Sequence, residues 1–128
     1  MNKQIIVTAS VFGLLAVIAG ASGAHSLKAV LNADQLQIWH TAVEYQFYHV
    51  FALLFLSTFT RFKNKLVSAA YYLFTFGIIC FSGSLYLFAF AEKLNWHLPT
   101  AVGLITPLGG LLFMAGWVTL AVAGLRNK

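Results

Sequence analysis

Charge is what this 128-residue sequence lacks most. Only 9% of its residues are charged, where an ordinary soluble domain has about 25%. Three of them are acids, Asp34, Glu44 and Glu92. With 60% hydrophobic residues, the composition excludes a soluble globular domain and points to a membrane protein. The one cysteine, Cys80, excludes an intrachain disulfide. Placed in the middle of an apolar stretch, it reads as a small buried hydrophobe rather than a reactive thiol. A single aspartate and the lack of a Gly-x-Ser-x-Gly elbow leave little for a hydrolase. The stretch "GASGA" lacks the Lys and following Ser or Thr of a phosphate-cradling loop. No catalytic group is assigned.

What remains is apolar sequence in four pieces, roughly 5–24, 42–60, 66–91 and 100–124. A membrane helix needs about 20 mostly apolar residues. The connections are too short for a soluble domain, so residues 1–128 read as one transmembrane domain. The fold class is all-α, an integral membrane four-helix bundle. Lys3 and "AGASGA" imitate a signal peptide. Its removal would leave three spans and spoil the charge pattern, so the first span is expected to be retained.

The net charge of +5 is spread unevenly. With four spans, one side carries Lys3, Arg61, Lys63, Lys65, Arg126 and Lys128. The other carries Lys28 and Lys93 with all three acids. Short cytoplasmic loops collect Lys and Arg, which puts both termini in the cytoplasm of a bacterial inner membrane. The basic excess is therefore a topology signal, with no nucleic acid as partner.

Small residues recur in span 1: Ala9 and Gly13, then Ala16, Gly20 and Ala24. They suit close packing, within the bundle or against a second copy, and a homo-oligomer is expected. Residues 25–40 form an interfacial loop whose end carries a helix start: Asn32 with Gln35 resembles a capping box, so a helix begins near Ala33 and runs to Thr60. Pro107 deprives the Gly103 carbonyl of its helical partner, and a break with Gly109 and Gly110 is expected in span 4.

The most polar stretch is "WHTAVEYQFYHV", 39–50. At 100° per residue, Ala42, Gln46, His49 and Leu53 share one side of the helix, flanked by Tyr45. Phe47, Phe51, Phe55 and Phe59 take the other, which suits lipid or a neighbouring span. An intramembrane histidine is a functional hypothesis by default. The plain alternative is a neutral His49 bonded to a hydroxyl or carbonyl, fastening two helices.

His25, Tyr45, Gln46, His49, Ser84 and Thr106 are expected to line an outward-facing recess roofed by the 25–40 loop. His25, His40 and Glu44 are weak metal candidates, because His and Glu four apart also simply pair on helix surfaces. No cofactor is specified.

The motifs "GASGAHSLK", "TAVEYQFYH", "FSGSLYL" and "ITPLGG" stand in the order seen in the domain of unknown function 423 family. The chain resembles these small bacterial membrane proteins and their eukaryotic relatives, called transmembrane protein 256. The resemblance covers nearly the whole chain and implies a four-span inner-membrane protein. It implies His25, the Tyr45, Gln46 and His49 run, the Ser-Gly-Ser at 82–84 and the Thr-Pro-x-Gly-Gly at 106–110 as family positions. Ser22 stands where an aromatic is usual and Ser26 where glycine is usual, which bears on the loop after span 1. The family carries no agreed activity.

Two function classes stand. The first is binding or transport of a small solute, ion or proton through the polar recess. The second is a structural or accessory role through membrane lipids or partner helices. A redox or hydrolytic enzyme ranks third.

Overall fold

The computed structural model describes residues 2–59 and 65–126. Of the expected topology charges, Arg61, Lys63 and Lys128 lie outside them. Four long helices carry the fold: α1 (Asn2–Ala24), α2 (Ala33–Leu56), α3 (Lys65–Ala91) and α5 (Ile105–Arg126). One helical turn, α4 (Thr100–Gly103), precedes α5. There is no strand among the described residues.

Local chemistry sets the helix ends. The Asn32 side chain accepts from the Gln35 backbone N–H at 2.9 Å, and the Asn32 N–H donates to Gln35 Oε1 at 3.0 Å. This is the expected capping box, and α2 starts at Ala33. The helix ends at Leu56, short of the expected Thr60. Ser57 and Thr58 hydroxyls donate to the Leu54 and Phe55 carbonyls at 2.6 and 2.7 Å. Those bonds satisfy last-turn carbonyls that a longer helix would have used.

The break in span 4 falls at Leu104 rather than as a kink at Pro107. Pro107 is the third residue of α5, where an N–H has no intrahelical partner to lose. The proline is thus accommodated by restarting the helix upstream of it.

Neighbouring helices run antiparallel. Gly13 lies against Val50, Gly20 against Val43 and Gly23 against Trp39, so the expected small-residue face of α1 is spent on α2. On the other flank, α3 and α5 interlock. Phe113 lies over Gly77 and Phe74 over Gly116, each filling the space a Cβ would need. At Gly109 the two backbones themselves touch: a Cβ there would overlap the Phe81 backbone nitrogen. Contact is greatest between α3 and α5, then between α2 and α3, then between α1 and α2. The pair α2–α3 is therefore central, with α1 and α5 on opposite flanks.

Of the two faces expected for α2, the polar one is present and the phenylalanine one only in part: Phe47 is half-buried, and Phe59 lies beyond the helix end, packed against the core. Ala42, Gln46, His49 and Leu53 are buried, whereas Phe51 and Phe55 are exposed. Three helical segments, Asn2–Ala24, Lys65–Ala91 and Thr100–Arg126, are long and apolar enough to cross a membrane. The α2 helix, expected as the second span, does not reach that apolarity, because its inner face carries Gln46 and His49 and its first turns are polar.

Candidate functional site

Position 49 is where α2, α3 and α5 meet. The imidazole is 4% exposed and lies flat on Phe113, with centroids 3.5 Å apart and planes 5° apart. Phe74 of α3 closes the pocket at 5.7 Å. Both ring nitrogens are engaged. Nδ1 lies 2.7 Å from the Tyr45 carbonyl, and the Trp117 indole N–H donates to Nε2 at 3.1 Å. A carbonyl can only accept and an indole N–H can only donate. The two partners together select the neutral tautomer with its proton on Nδ1.

One turn earlier, Gln46 does comparable work towards the other flank. Its Nε2 donates to the Phe12 carbonyl of α1 at 2.7 Å, and its Oε1 accepts from the Tyr86 hydroxyl of α3 at 2.7 Å. Trp39 donates to the Ala19 carbonyl at 2.8 Å and packs against Tyr86 at 4.6 Å. The buried Ser82 hydroxyl donates to the Ala42 carbonyl at 2.7 Å. Ser84 is bonded to Thr106 and to the Phe81 carbonyl, joining α3 to the start of α5. Thr8 and Tyr71 share a bond of 2.7 Å between α1 and α3. At the helix ends, Gln35 Nε2 donates to Glu92 Oε2 at 3.1 Å.

Of the expected recess lining, Gln46 borders one cleft and Tyr45 and His49 border another, while His25, Ser84 and Thr106 border neither. Gln46 and His49 are three residues apart, which turns them about 60° from each other and sends them to opposite flanks. One cleft, of about 480 Å³, lies among α1, α2 and α3 and includes Phe12, Trp39, Gln46 and Tyr86. The other, of about 570 Å³, lies among α2, α3 and α5 and includes Tyr45, Tyr48, His49 and Trp117. Neither is roofed by the loop preceding α2. His49 stacks on Phe113, the middle residue of Thr100–Arg126.

The remaining sequence candidates separate. His25 and Glu44 are exposed, and His40 is half-buried beside Gly23. Among the described residues, no three His, Cys, Asp or Glu side chains are grouped as a metal site would need. Pro107 stands at the start of α5, Gly109 is buried against Phe81, and Gly110 lines the α2–α5 cleft. Sequence reasoning missed Trp117 and Tyr86, and had Ser82 only as a position the family resemblance implies. Trp117 carried a usable signal, because membrane tryptophans favour the interface and this one lies well inside a span.

Comparisons with known proteins give the family. The family model described as a protein of unknown function, DUF423, matches residues 19–110. A UPF0382 membrane protein of Staphylococcus epidermidis is 37% identical over 124 residues, covering 97% of each chain. The UPF0382 membrane protein YwdK of Bacillus subtilis is 35% identical over 127 residues, 97% of this chain and 98% of its own. The UPF0382 inner membrane protein YgdD of Escherichia coli K12 is 31% identical over 131 residues, 99% of this chain and 93% of its own. No solved structure matches the chain. A multi-pass helical membrane protein with these relatives belongs to the DUF423 family.

Proposed function

We propose that the chain is a four-span accessory protein of the bacterial inner membrane that acts sideways, through its lipid-facing flanks. One observation carries this reading: apart from the buried Thr75 hydroxyl, which has no partner among the described residues, the buried polar side chains of the expected recess are occupied in joining helices. Of the expected lining of a solute path, Gln46, His49, Ser84 and Thr106 are each bonded to another part of the protein, whereas His25 and Tyr45 are exposed. A path for a solute or ion needs such groups free to take over its hydration. The clefts open instead to the flanks.

Two further observations support the topology. The α2 helix has 24 residues, about 36 Å of helix, and lies between the apolar helices α1 and α3. Its polar inner face is shielded by them, so average composition understates its fitness for lipid. Among the described residues, Lys3, Lys65 and Arg126 share one end of the helices, whereas Lys28 and Lys93 share the other with Asp34 and Glu92. That asymmetry favours cytoplasmic termini, and the relative YgdD is named an inner membrane protein. A homo-oligomer would dock at glycines left open, such as Gly103 and Gly124, since the α1 face is taken.

The test is His49→Ala, purified and reconstituted. The accessory reading expects a loss of about 2 kcal/mol in stability, from the emptied ring site and two lost bonds. It also expects proton and ion flux in proteoliposomes equal to that of the parent. A variant as stable as the parent but with flux abolished would return the assignment to transport.

A further inference from the structure

Two phenol hydroxyls stand where lipid offers them nothing. Tyr48 is 54% exposed and Tyr45 38% exposed, and neither hydroxyl has a hydrogen-bond partner among the described residues. Their level is close to the middle of the spans. Val50 abuts Gly13, the middle residue of Asn2–Ala24, and His49 stacks on Phe113, the middle residue of Thr100–Arg126. Tyrosine in membranes ordinarily keeps its polar tip at the interface, because hydrocarbon cannot accept its hydrogen bond.

Both rings line the α2–α5 cleft, whose volume of about 570 Å³ falls within the range of small-molecule sites. The lining is layered. The Tyr45, His49 and Phe113 planes lie 5° to 26° apart, which favours a flat group sliding in beside them. The His49 nitrogens and the Trp117 N–H are already paired, so the donors left for an occupant are the two phenols. Met114, 61% exposed, lies on the lipid side of the cleft.

We propose that this cleft binds a lipid-soluble molecule with a flat, carbonyl-bearing ring, of the isoprenoid quinone class. Tyr45 and Tyr48 donate to the ring oxygens, and the tail leaves past Met114 into lipid. A bare acyl chain would fill the space but leave both hydroxyls unpaired. The inference rests on α2 being a span, as proposed above.

The experiment titrates decylubiquinone into the full chain in detergent and follows the indole N–H resonance of Trp117. Decylbenzene serves as the hydrocarbon without carbonyls. Saturable displacement by the quinone and not by decylbenzene is expected. Tyr45→Phe and Tyr48→Phe keep the ring stack and the Tyr45 carbonyl. Each is expected to melt like the parent and to bind about fivefold to tenfold more weakly, the effect of one lost hydrogen bond. Equal displacement by decylbenzene, no saturable displacement, or parental affinity in both variants would overturn the proposal. Cysteine labelling along α2 from either side of the membrane reads the span separately, so its failure is not confused with failure of the site.

Discussion

The α3–α5 seam and the α2–α5 side solve the same problem in opposite ways. Helices in lipid gain nothing from hiding apolar surface, so they must be held by close packing or by polar bonds. Along α3 and α5 the glycines do the holding. Phe74 and Phe113 sit over Gly116 and Gly77, and at Gly109 the backbones meet. Where α2 faces α5, large rings meet large rings, and one hydrogen bond, Trp117 to His49, spans the gap. The first arrangement brings ring onto glycine and backbone onto backbone. The second leaves a cleft of about 570 Å³. Tightness and vacancy thus follow from which residue type each helix turns to its neighbour.

Adjacent glycines offer the sharpest way to break that contrast. Gly109→Ala must push apart the α5 and Phe81 backbones and is expected to cost about 2–3 kcal/mol. Gly110→Ala, whose Cβ meets nothing, should be neutral or gain up to about 1 kcal/mol from better helix propensity. Thermal melts in detergent read both. Equal melting of the two variants would show that the seam is not held by backbone approach.

A smaller effect is expected on the α1 flank. Gln46→Leu keeps the volume but strips the Phe12 carbonyl and the Tyr86 hydroxyl of a partner. A loss of about 1 kcal/mol is expected, and Tyr86→Phe made on top of it should add almost nothing. Additive losses in that double-mutant cycle would mean that Tyr86 and Gln46 do not act together.

A smaller loss again is expected for Trp117→Phe, which removes one donor and leaves an aromatic ring on the cleft. About 0.6 kcal/mol is expected, the usual worth of an interhelical bond in a membrane. The imidazole should keep its proton on Nδ1, held there by the Tyr45 carbonyl, while the Nε2 resonance shifts on losing its donor. An unchanged Nε2 resonance would show that Trp117 does not donate to His49.

Much of α2 was legible residue by residue. The capping box at Asn32 is a local pattern, and helical periodicity alone separates buried Ala42, Gln46, His49 and Leu53 from exposed Phe51 and Phe55. The angle between Gln46 and His49 was also available. What it meant was not, because about 60° of rotation sends the two side chains to different neighbours only once those neighbours are in place. The helix end at Leu56 and the break at Leu104 depended on which carbonyl found which donor, and periodicity carries no information on that. Trp117 is 68 residues from His49, and no local signal pairs them.

The sequence by itself determined that this is a helical membrane protein, where α2 begins, and which of its faces is polar. Composition and periodicity follow from the solvent and from the pitch of the helix, and both are written along the chain. The tertiary structure decided that Gln46 and His49 serve opposite flanks, that the polar groups join helices, and that the spare volume lies beside α2 and α5. Those outcomes depend on side chains far apart in sequence, whose shapes and donors match only when the helices pack.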